Sequence, residues 1–342
     1  MGPDALIRRS VWFGAPRQVE VRQELAPAPG PGEAQVRTLF SAISPGSEML
    51  IYRGEFPNEI PLDASISALA GSGEFPLKYG YSAVGRVSRC GLGVDPSWMG
   101  RLVFAFQPHQ SVFTLPVENL LIVPKGIAAE EAIFLPNMET AVNFVMDGAP
   151  RIGERVVVFG QGIVGLLTTA LLALFPLACL VTLDAHPFRR DVSYRCGATQ
   201  CIDPADAGML AQLKDSLPGG ADLVFELSGS PKALDQALAV TGFSGRVIIG
   251  SWYGQKNANL DLGGSFHRSR IQLVSSQVST LAPELTGRWD KQRRFQLAWE
   301  MIRKTRPTQF ITQRFPIEQA GQAYRLLDEL PGEAVQVIFT YA

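Results

Sequence analysis

The stretch RVVVFGQGIVGLL, residues 155–167, constrains the fold of this chain more than any other. Gly160, Gly162 and Gly165 form the spacing G-x-G-x-x-G directly after a predicted strand and at the start of a predicted helix. In such a turn the first glycine permits a tight bend, the second lets the backbone approach a pyrophosphate, and the third lets helix and strand pack closely. The N–H groups at the helix N-terminus then face the phosphates. The motif predicts a dinucleotide site, and the alternative is a structural turn that binds nothing.

An acidic residue follows the motif at the distance typical of dinucleotide sites. Asp184 lies 19 residues beyond Gly165, at the end of the next predicted strand, where a carboxylate can accept both ribose hydroxyls of the adenosine. Because a carboxylate repels a 2′-phosphate, the sequence favours NAD(H). Arg189 and Arg190 follow closely and could hold a phosphate, so NADP(H) stays open.

Strands and helices alternate around the motif. Between residues 138 and 276 the predicted strands run from RVVVFG to RIQLVSS, with helical patterns between them, which predicts a doubly wound parallel sheet. Residues 1–137 instead show short apolar runs between turns rich in Gly and Pro, the pattern of an antiparallel β domain. Residues 277–342 are predicted to return to that first domain. The chain is therefore predicted to be an α/β protein of two domains.

One apolar stretch has the length of a membrane span. Residues 163–183, IVGLLTTALLALFPLACLVTL, are apolar throughout, but a glycine-rich turn opens the stretch and Pro176 divides it. A buried helix followed by a buried strand accounts for it better, so we predict no membrane span.

Composition narrows the possible partners and the compartment. The chain has 31 Lys and Arg against 32 Asp and Glu, so no net field favours nucleic acid or an anionic membrane. The N-terminus shows no secretory signal pattern. The four cysteines of the chain have no CxxC spacing and are too few for a disulfide framework, which favours a reducing, cytoplasmic compartment.

Several motifs, in this order, resemble those of the medium-chain dehydrogenase/reductase family, which includes the zinc-type alcohol dehydrogenases. They are ISPGSEMLIYRG, YGYSAVGRV, NMETAVNFV, GQGIVGLLTTALL, ELSGSPKALDQAL and GRVIIGS. The resemblance implies a GroES-like β domain, a Rossmann domain and a nicotinamide-dependent oxidoreductase. It places further cofactor contacts at Ile163, Val164, Ser228 and Gly250, and it implies a homodimer formed through the edge strand in RIQLVSSQVST. The first three motifs especially resemble a metal-free branch that includes bacteriochlorophyllide side-chain dehydrogenases.

The positions that hold catalytic zinc in this family carry other residues here. By the resemblance, the first cysteine falls on Ser44, the His-Glu pair on Tyr81 and Ser82, and the third ligand on Pro136 or Asn137. Hydroxyls and amides are poor replacements for thiolate, imidazole and carboxylate. The cysteine-rich lobe that holds a structural zinc in many members is also missing from CGLGVDPSWMGRLVF. We therefore predict no zinc.

Without a metal, a polar side chain must move the proton or stabilise the developing oxyanion. The candidates are Tyr81, Ser44, Tyr52, Ser82 and His109. Tyr81 is favoured because it replaces a ligand and carries a phenol. Ser44 and Ser82 could instead bond backbone groups, and Tyr52 could simply pack. His109 could be a loop histidine, a substrate contact or, less readily, a lone metal ligand.

Two classes of function follow from these residues. The first is a zinc-independent NAD(P) oxidoreductase acting on an alcohol/ketone pair or a conjugated carbonyl. The second is a nucleotide-binding homologue without turnover, with a structural or regulatory role, and the missing zinc ligands are the feature in its favour. The segment between Tyr52 and Tyr81 offers apolar side chains for a small-molecule substrate that is apolar or sizeable. These are Phe56, Ile60, Leu62, Ile66 and Leu69.

Overall fold

The computed structural model describes residues 6–57, 62, 66–69 and 71–342. Ile60, one of the predicted pocket residues, lies outside them. The chain divides into two compact units, of which the first comprises Met1–Pro136 and Arg306–Ala342 and the second Asn137–Thr305.

Fifteen strands are formed by the described residues. They are β1 (Ile7–Ala15), β2 (Gln18–Leu25), β3 (Glu33–Ala42), β4 (Ala83–Cys90), β5 (Leu102–Ala105), β6 (Val112–Pro116), β7 (Leu121–Ile122), β8 (Arg155–Phe159), β9 (Cys179–Leu183), β10 (Gln200–Ile202), β11 (Ala221–Glu226), β12 (Thr241–Ile249), β13 (Gln272–Ser275), β14 (Ile311–Pro316) and β15 (Gln336–Thr340).

Nine α-helices connect or flank these strands among the described residues. They are α1 (Pro45–Arg53), α2 (Ala129–Ala132), α3 (Leu135–Gly148), α4 (Ile163–Leu172), α5 (Pro187–Arg195), α6 (Met209–Ser216), α7 (Pro231–Val240), α8 (Lys291–Thr305) and α9 (Ala320–Glu329).

The first unit is built mainly from antiparallel β-structure, as its alternation of apolar runs and turns predicts, although β14 and β15 pair in parallel. A hairpin of β1 and β2 accompanies a larger sheet in the order β14-β15-β3-β4-β5-β7, and β6 also pairs with β3. The core between the hairpin, α1 and α9 contains wholly buried aromatic side chains, among them Phe13, Tyr324 and Phe339. Strand β15, from near the end of the chain, pairs antiparallel with the last residues of β3.

The second unit is a six-stranded parallel sheet in the order β10-β9-β8-β11-β12-β13. Numbered along the chain this is 3-2-1-4-5-6, the order of a doubly wound dinucleotide-binding sheet. Strands β8 and β11 lie next to each other at the point where the order reverses. The predicted α/β class, with a Rossmann sheet and a separate β domain, is confirmed.

The chain returns to the first unit later than the sequence predicted. The sequence suggested residue 277, whereas the compact units divide after Thr305. The reason is helix α8, which packs against α4 and buries Arg294 completely. The Arg294 guanidinium donates to Glu139 Oε1 at 2.8 and 3.0 Å and to Asn143 Oδ1 at 2.6 Å, so α8 is tied to α3 of the second unit.

The apolar stretch 163–183 forms helix α4 and strand β9, both largely buried, with Pro176 between them. Across the part of the chain described, no helix combines the length and apolarity that crossing a bilayer would need. The edge strand β13 is shorter than the predicted strand RIQLVSS. It begins at Gln272, after Arg270, whose φ is 53°.

Candidate active site

Two of the predicted catalytic hydroxyls meet in the first unit. Ser44 is the N-cap residue of α1, where Pro45 fixes the first helical turn, and Tyr81 lies in the loop that enters β4. The Tyr81 hydroxyl donates a hydrogen bond to Ser44 Oγ, and Ser47 Oγ lies 3.3 Å from the same phenol oxygen. All three side chains are half-buried. The two positions that the resemblance assigns to metal ligands therefore carry a bonded pair of hydroxyls.

A polar network, buried except at Tyr341, adjoins this pair. His109 Nε2 is 2.9 Å from Glu48 Oε2, and His109 Nδ1 is 2.7 Å from Ser41 Oγ. The Tyr324 hydroxyl donates to Glu48 Oε2, and burial together with the Glu48 charge raises the pKa of that phenol well above its usual value. The Tyr341 hydroxyl is 2.6 Å from Ser41 Oγ. The imidazole of His109 is thus satisfied on both nitrogens by protein groups.

The remaining two candidates lie elsewhere in the first unit. Ser82 is buried and its hydroxyl donates to the carbonyl of Ile133 at 2.6 Å, the backbone role that was its alternative interpretation. Tyr52 stacks on Tyr324 with ring centroids 5.6 Å apart and lines a cavity of about 580 Å³ beside the β1–β2 hairpin. Burial, followed by the charge of Asp328, raises the pKa of Tyr52. Neither Ser44 nor Tyr81 lines that cavity.

The donors present fit a zinc ion poorly. Ser44 and Tyr81 bond each other, Ser82 is committed to a carbonyl, and a tetrahedral zinc site prefers thiolate, imidazole and carboxylate. Within the described ranges, no three His, Cys, Asp or Glu side chains form a group that could hold a metal. The carboxylate of Glu139 is held by Arg294 instead, and its pKa is raised by burial, against the lowering effect of that arginine.

In the second unit, the three motif glycines divide into two kinds. A Cβ on Gly160, whose φ is 88°, would stand 2.6 Å from Ser228 Cα, and a Cβ on Gly165 would stand 2.0 Å from the carbonyl oxygen of Gly160. Close packing therefore requires glycine at positions 160 and 165. Gly162 is the N-cap of α4, and a Cβ there would meet nothing within 4 Å. The open space over Gly162 is where a pyrophosphate could approach the backbone, so the turn fits a dinucleotide.

The carboxylate of Asp184 is fixed at the end of β9. It accepts the backbone N–H of Gln161 at 2.7 Å and that of His186 at 2.9 Å. Arg189 Nη1 lies 4.0 Å from Asp184, and burial lowers the pKa of this arginine while Asp184 raises it. Arg190 is tied to Asp203 at 3.1 Å. Arg189 is therefore the arginine beside the Asp184 carboxylate.

The other predicted cofactor residues surround the same turn or the strand ends beside it. Ile163 and Val164 open α4 directly after Gly162. Ser228 follows β11, and its backbone approaches Gly160. Gly250 follows β12, and a Cβ there would come within 2.3 Å of the Phe144 ring.

Sequence reasoning missed Glu226, a fully buried carboxylate at the end of β11. It accepts the backbone N–H of Ser228 at 2.9 Å and the hydroxyls of Ser228 and Tyr253. Burial and the Glu226 contact raise the pKa of Tyr253. A lone acid within the apolar strand LVFELSG is the signal that could have marked it, because such a charge needs partners.

Comparisons with known proteins agree with this architecture. Residues 164–295 match the family of zinc-binding dehydrogenases. The matched segment lies within the second unit, so it contains neither Ser44, Tyr81 nor Ser82. The match therefore bears on the nucleotide-binding part of the chain.

Several similar proteins are dehydrogenases by name. D-guloside 3-dehydrogenase of Escherichia coli strain K12 is 26% identical over 286 residues, 79% of this chain and 81% of the relative. L-threonine 3-dehydrogenase of Pyrococcus horikoshii is 26% identical over 283 residues, 74% and 76% of the two chains. An alcohol dehydrogenase of Escherichia coli CFT073, solved with NADH, shares the fold with a TM-score of 0.79 at 18% identity, over 98% of this chain and 99% of that one.

The sheet order, the glycine turn and these similarities point the same way. The chain is therefore similar to zinc-binding dehydrogenases in its second unit, similar to dehydrogenases over about three quarters of its length, and similar in fold to an alcohol dehydrogenase.

Proposed function

We propose that this protein is a zinc-independent NAD(P) oxidoreductase acting on an alcohol/ketone pair or a conjugated carbonyl, with Tyr81 as its proton donor and acceptor. The observation that carries the proposal is the hydrogen bond between Tyr81 and Ser44 at two positions that correspond to metal ligands in the family. The dehydrogenase relatives and the open glycine turn support the redox part.

The chemistry divides between cofactor and protein. A bound nicotinamide supplies or accepts the hydride, as in other enzymes of this kind. For reduction, the Tyr81 O–H turns from Ser44 Oγ to the substrate oxygen, and the Ser44 hydroxyl then donates to the phenol oxygen and stabilises its developing negative charge. Ser47, 3.3 Å from the same oxygen, can add a second donor. Oxidation of an alcohol reverses these transfers.

NAD(H) is the proposed preferred cofactor, because an acid that follows the glycine motif at this distance favours a free ribose, and Asp184 is held by two backbone N–H groups. Arg189 beside it keeps NADP(H) a competitor. Titration of the protein with NADH and NADPH tests the preference. NADPH binding more tightly than NADH would contradict it.

We also propose that the protein is related to the metal-free branch that includes bacteriochlorophyllide side-chain dehydrogenases. The N-terminal motifs ISPGSEMLIYRG, YGYSAVGRV and NMETAVNFV support this relationship. The relatives named above act, by their names, on a guloside and on threonine, which favours hydroxylated substrates. The apolar residues Phe56, Leu62 and Leu69 are buried in the core of the first unit, so they offer less support for an apolar substrate than the sequence suggested.

A homodimer through the edge strand β13 is proposed as well, because β13 ends the six-stranded sheet and an edge strand of this kind is usually covered or paired. Light scattering at micromolar concentration tests it. A mass near 37.2 kDa, that of one chain, would argue against the dimer.

The decisive experiment compares two identical substitutions. Oxidation of NADH and NADPH is followed against a panel of ketones, sugar-derived ketones and enones, and Tyr81→Phe and Tyr52→Phe are then tested on any active compound. Loss of one oxyanion donor costs about 10²–10³ in rate, so Tyr81→Phe should lower kcat by that factor with cofactor affinity unchanged. Tyr52→Phe should change kcat by less than about threefold, as expected for a ring that only packs. Tight cofactor binding with no turnover on any compound would favour the nucleotide-binding homologue without activity.

A further inference from the structure

Glu48 is a buried acid that the proposed chemistry does not use directly. Glu48 lies in the first turn of α1 with no exposed surface, and its two carboxylate oxygens have different partners. Oε1 accepts the backbone N–H of Ser44 at 2.8 Å. Oε2 contacts His109 Nε2 at 2.9 Å and accepts the Tyr324 hydroxyl. Oε1 thus binds the backbone of Ser44, a member of the hydroxyl pair, whereas Oε2 binds two buried side chains of the core.

The same histidine lies directly under the other half of the pair. Gly80 precedes Tyr81 with a φ of 116°, and a Cβ on Gly80 would come within 2.8 Å of His109 Nε2. The loop that carries Tyr81 therefore rests on the imidazole. Any other residue at position 80 would lift the loop or displace the ring, because a side chain with this φ is also strained.

We infer that the Glu48–His109 pair positions the Ser44–Tyr81 hydroxyl pair, Glu48 by fixing the Ser44 backbone and His109 by fixing the loop beneath Tyr81. A helix cap alone does not require a fully buried carboxylate with two further partners, because an exposed acid does the same at other helix starts. The imidazole is in turn fixed by Ser41 at 2.7 Å. The catalytic part of this inference rests on the proposed function, whereas the positioning part concerns geometry and can be measured alone.

The first measurement needs no substrate. Amide hydrogen exchange at Ser44 reports the bond to Glu48 Oε1. Glu48→Leu removes the acceptor and should speed Ser44 exchange by at least about tenfold, since a bond to a charged group is lost. Glu48→Gln keeps an oxygen at that place and should stay within about threefold of the wild type. Equal exchange in Glu48→Leu and wild type would overturn the inference.

A second variant guards against misfolding of Glu48→Leu. His109→Asn keeps the carboxylate and removes the imidazole that holds Oε2 and supports Gly80. Its Ser44 exchange should rise by at least about threefold as the carboxylate loosens. An unchanged rate in folded His109→Asn would overturn the inference without any result from Glu48→Leu.

The last measurement links position to turnover. Tyr81→Phe should cost about 10²–10³ in kcat in the wild type but less than about tenfold in the Glu48→Leu background, where the hydroxyl is already misplaced. The Kd for the dinucleotide should be unchanged by either substitution. Equal costs in both backgrounds would overturn the positioning role in catalysis. No effect of Tyr81→Phe in the wild type would instead defeat the proposed function, while Ser44 exchange still decides whether Glu48 positions that residue.

Discussion

Glu24 on strand β2 anchors the loop that leads to Tyr81, and its removal is the sharpest test of how that loop is held. The carboxylate accepts Lys78 Nζ at 2.6 Å, Trp12 Nε1 at 2.9 Å, Ser10 Oγ at 2.9 Å and Arg8 Nε at 3.1 Å. Lys78 belongs to the loop that enters β4, and its ammonium also lies 4.9 Å from the centroid of the Trp12 ring. Glu24 therefore joins the hairpin to this loop.

The size of the effect follows from the pKa of Glu24. Burial raises this pKa, but the hydrogen bonds from Lys78 and Ser10 and the charges of Lys78 and Arg8 outweigh it and bring the pKa from 4.5 to about 2. A difference of that size corresponds to about 3 kcal/mol at neutral pH. Solvent reaches part of the side chain and screens its charges, so we expect Glu24→Gln to cost about 1–2 kcal/mol in the free energy of unfolding.

The direction of the Glu24 pKa shift determines how its contribution to stability changes with pH. Because the folded-state pKa lies below the unfolded value, the stabilisation is complete well above pH 4.5 and is lost as the pH falls from 4.5 towards 2. The difference in unfolding free energy between wild type and Glu24→Gln should therefore be largest near pH 7 and shrink between pH 5 and pH 3.

Urea unfolding followed by tryptophan fluorescence at several pH values measures this difference. Glu20→Gln is the matched control, because Glu20 is on the same strand, is exposed, and pairs with Arg22 on that strand. This change should cost less than about 0.5 kcal/mol at every pH. A Glu24→Gln effect that equals the control, or one that grows as the pH falls, would refute the reasoning.

Three further outcomes are expected. Gly165→Ala should lower the melting temperature because its Cβ would stand 2.0 Å from a backbone oxygen, whereas Gly162→Ala should melt like the wild type yet bind NADH at least about tenfold more weakly by titration. Arg294→Met leaves Glu139 buried without its cation and should cost about 3–5 kcal/mol in urea unfolding followed by circular dichroism, against less than about 0.5 kcal/mol for the exposed Arg293→Met. Elemental analysis of protein purified without chelator should give far less than one zinc per chain, and about one zinc per chain would contradict the zinc-independent reaction.

The parallel sheet could be predicted from the sequence because its strands are short apolar runs separated by helical patterns, and each run signals its own state locally. Helix α6 was missed. Met209, Leu213 and Leu217 repeat every four residues and are buried, but Gly and Pro on both sides make the segment read as a loop. Packing against α7 stabilises this short helix, and no local signal records that contact.

Only the residues of the candidate site that lie within sequence motifs could be predicted. Ser44 and Tyr81 could be named because they fall at known positions of family motifs. Glu48 could be seen as a nearby carboxylate, but its partners could not be predicted from one sequence. His109 is 61 residues away along the chain and Tyr324 is 276 residues away, and each reaches Glu48 only through the folded first unit.

The pairing of β15 with β3 has a consequence for how the protein is made. On the ribosome, β3 and the residues around Ser44 emerge early, but β15, Tyr324 and Tyr341 emerge only after the whole of the second unit. The parallel sheet can therefore fold during synthesis, while β3 still lacks its β15 neighbour and Glu48 still lacks the Tyr324 hydroxyl. The first part of the chain to be translated is thus the last to be completed.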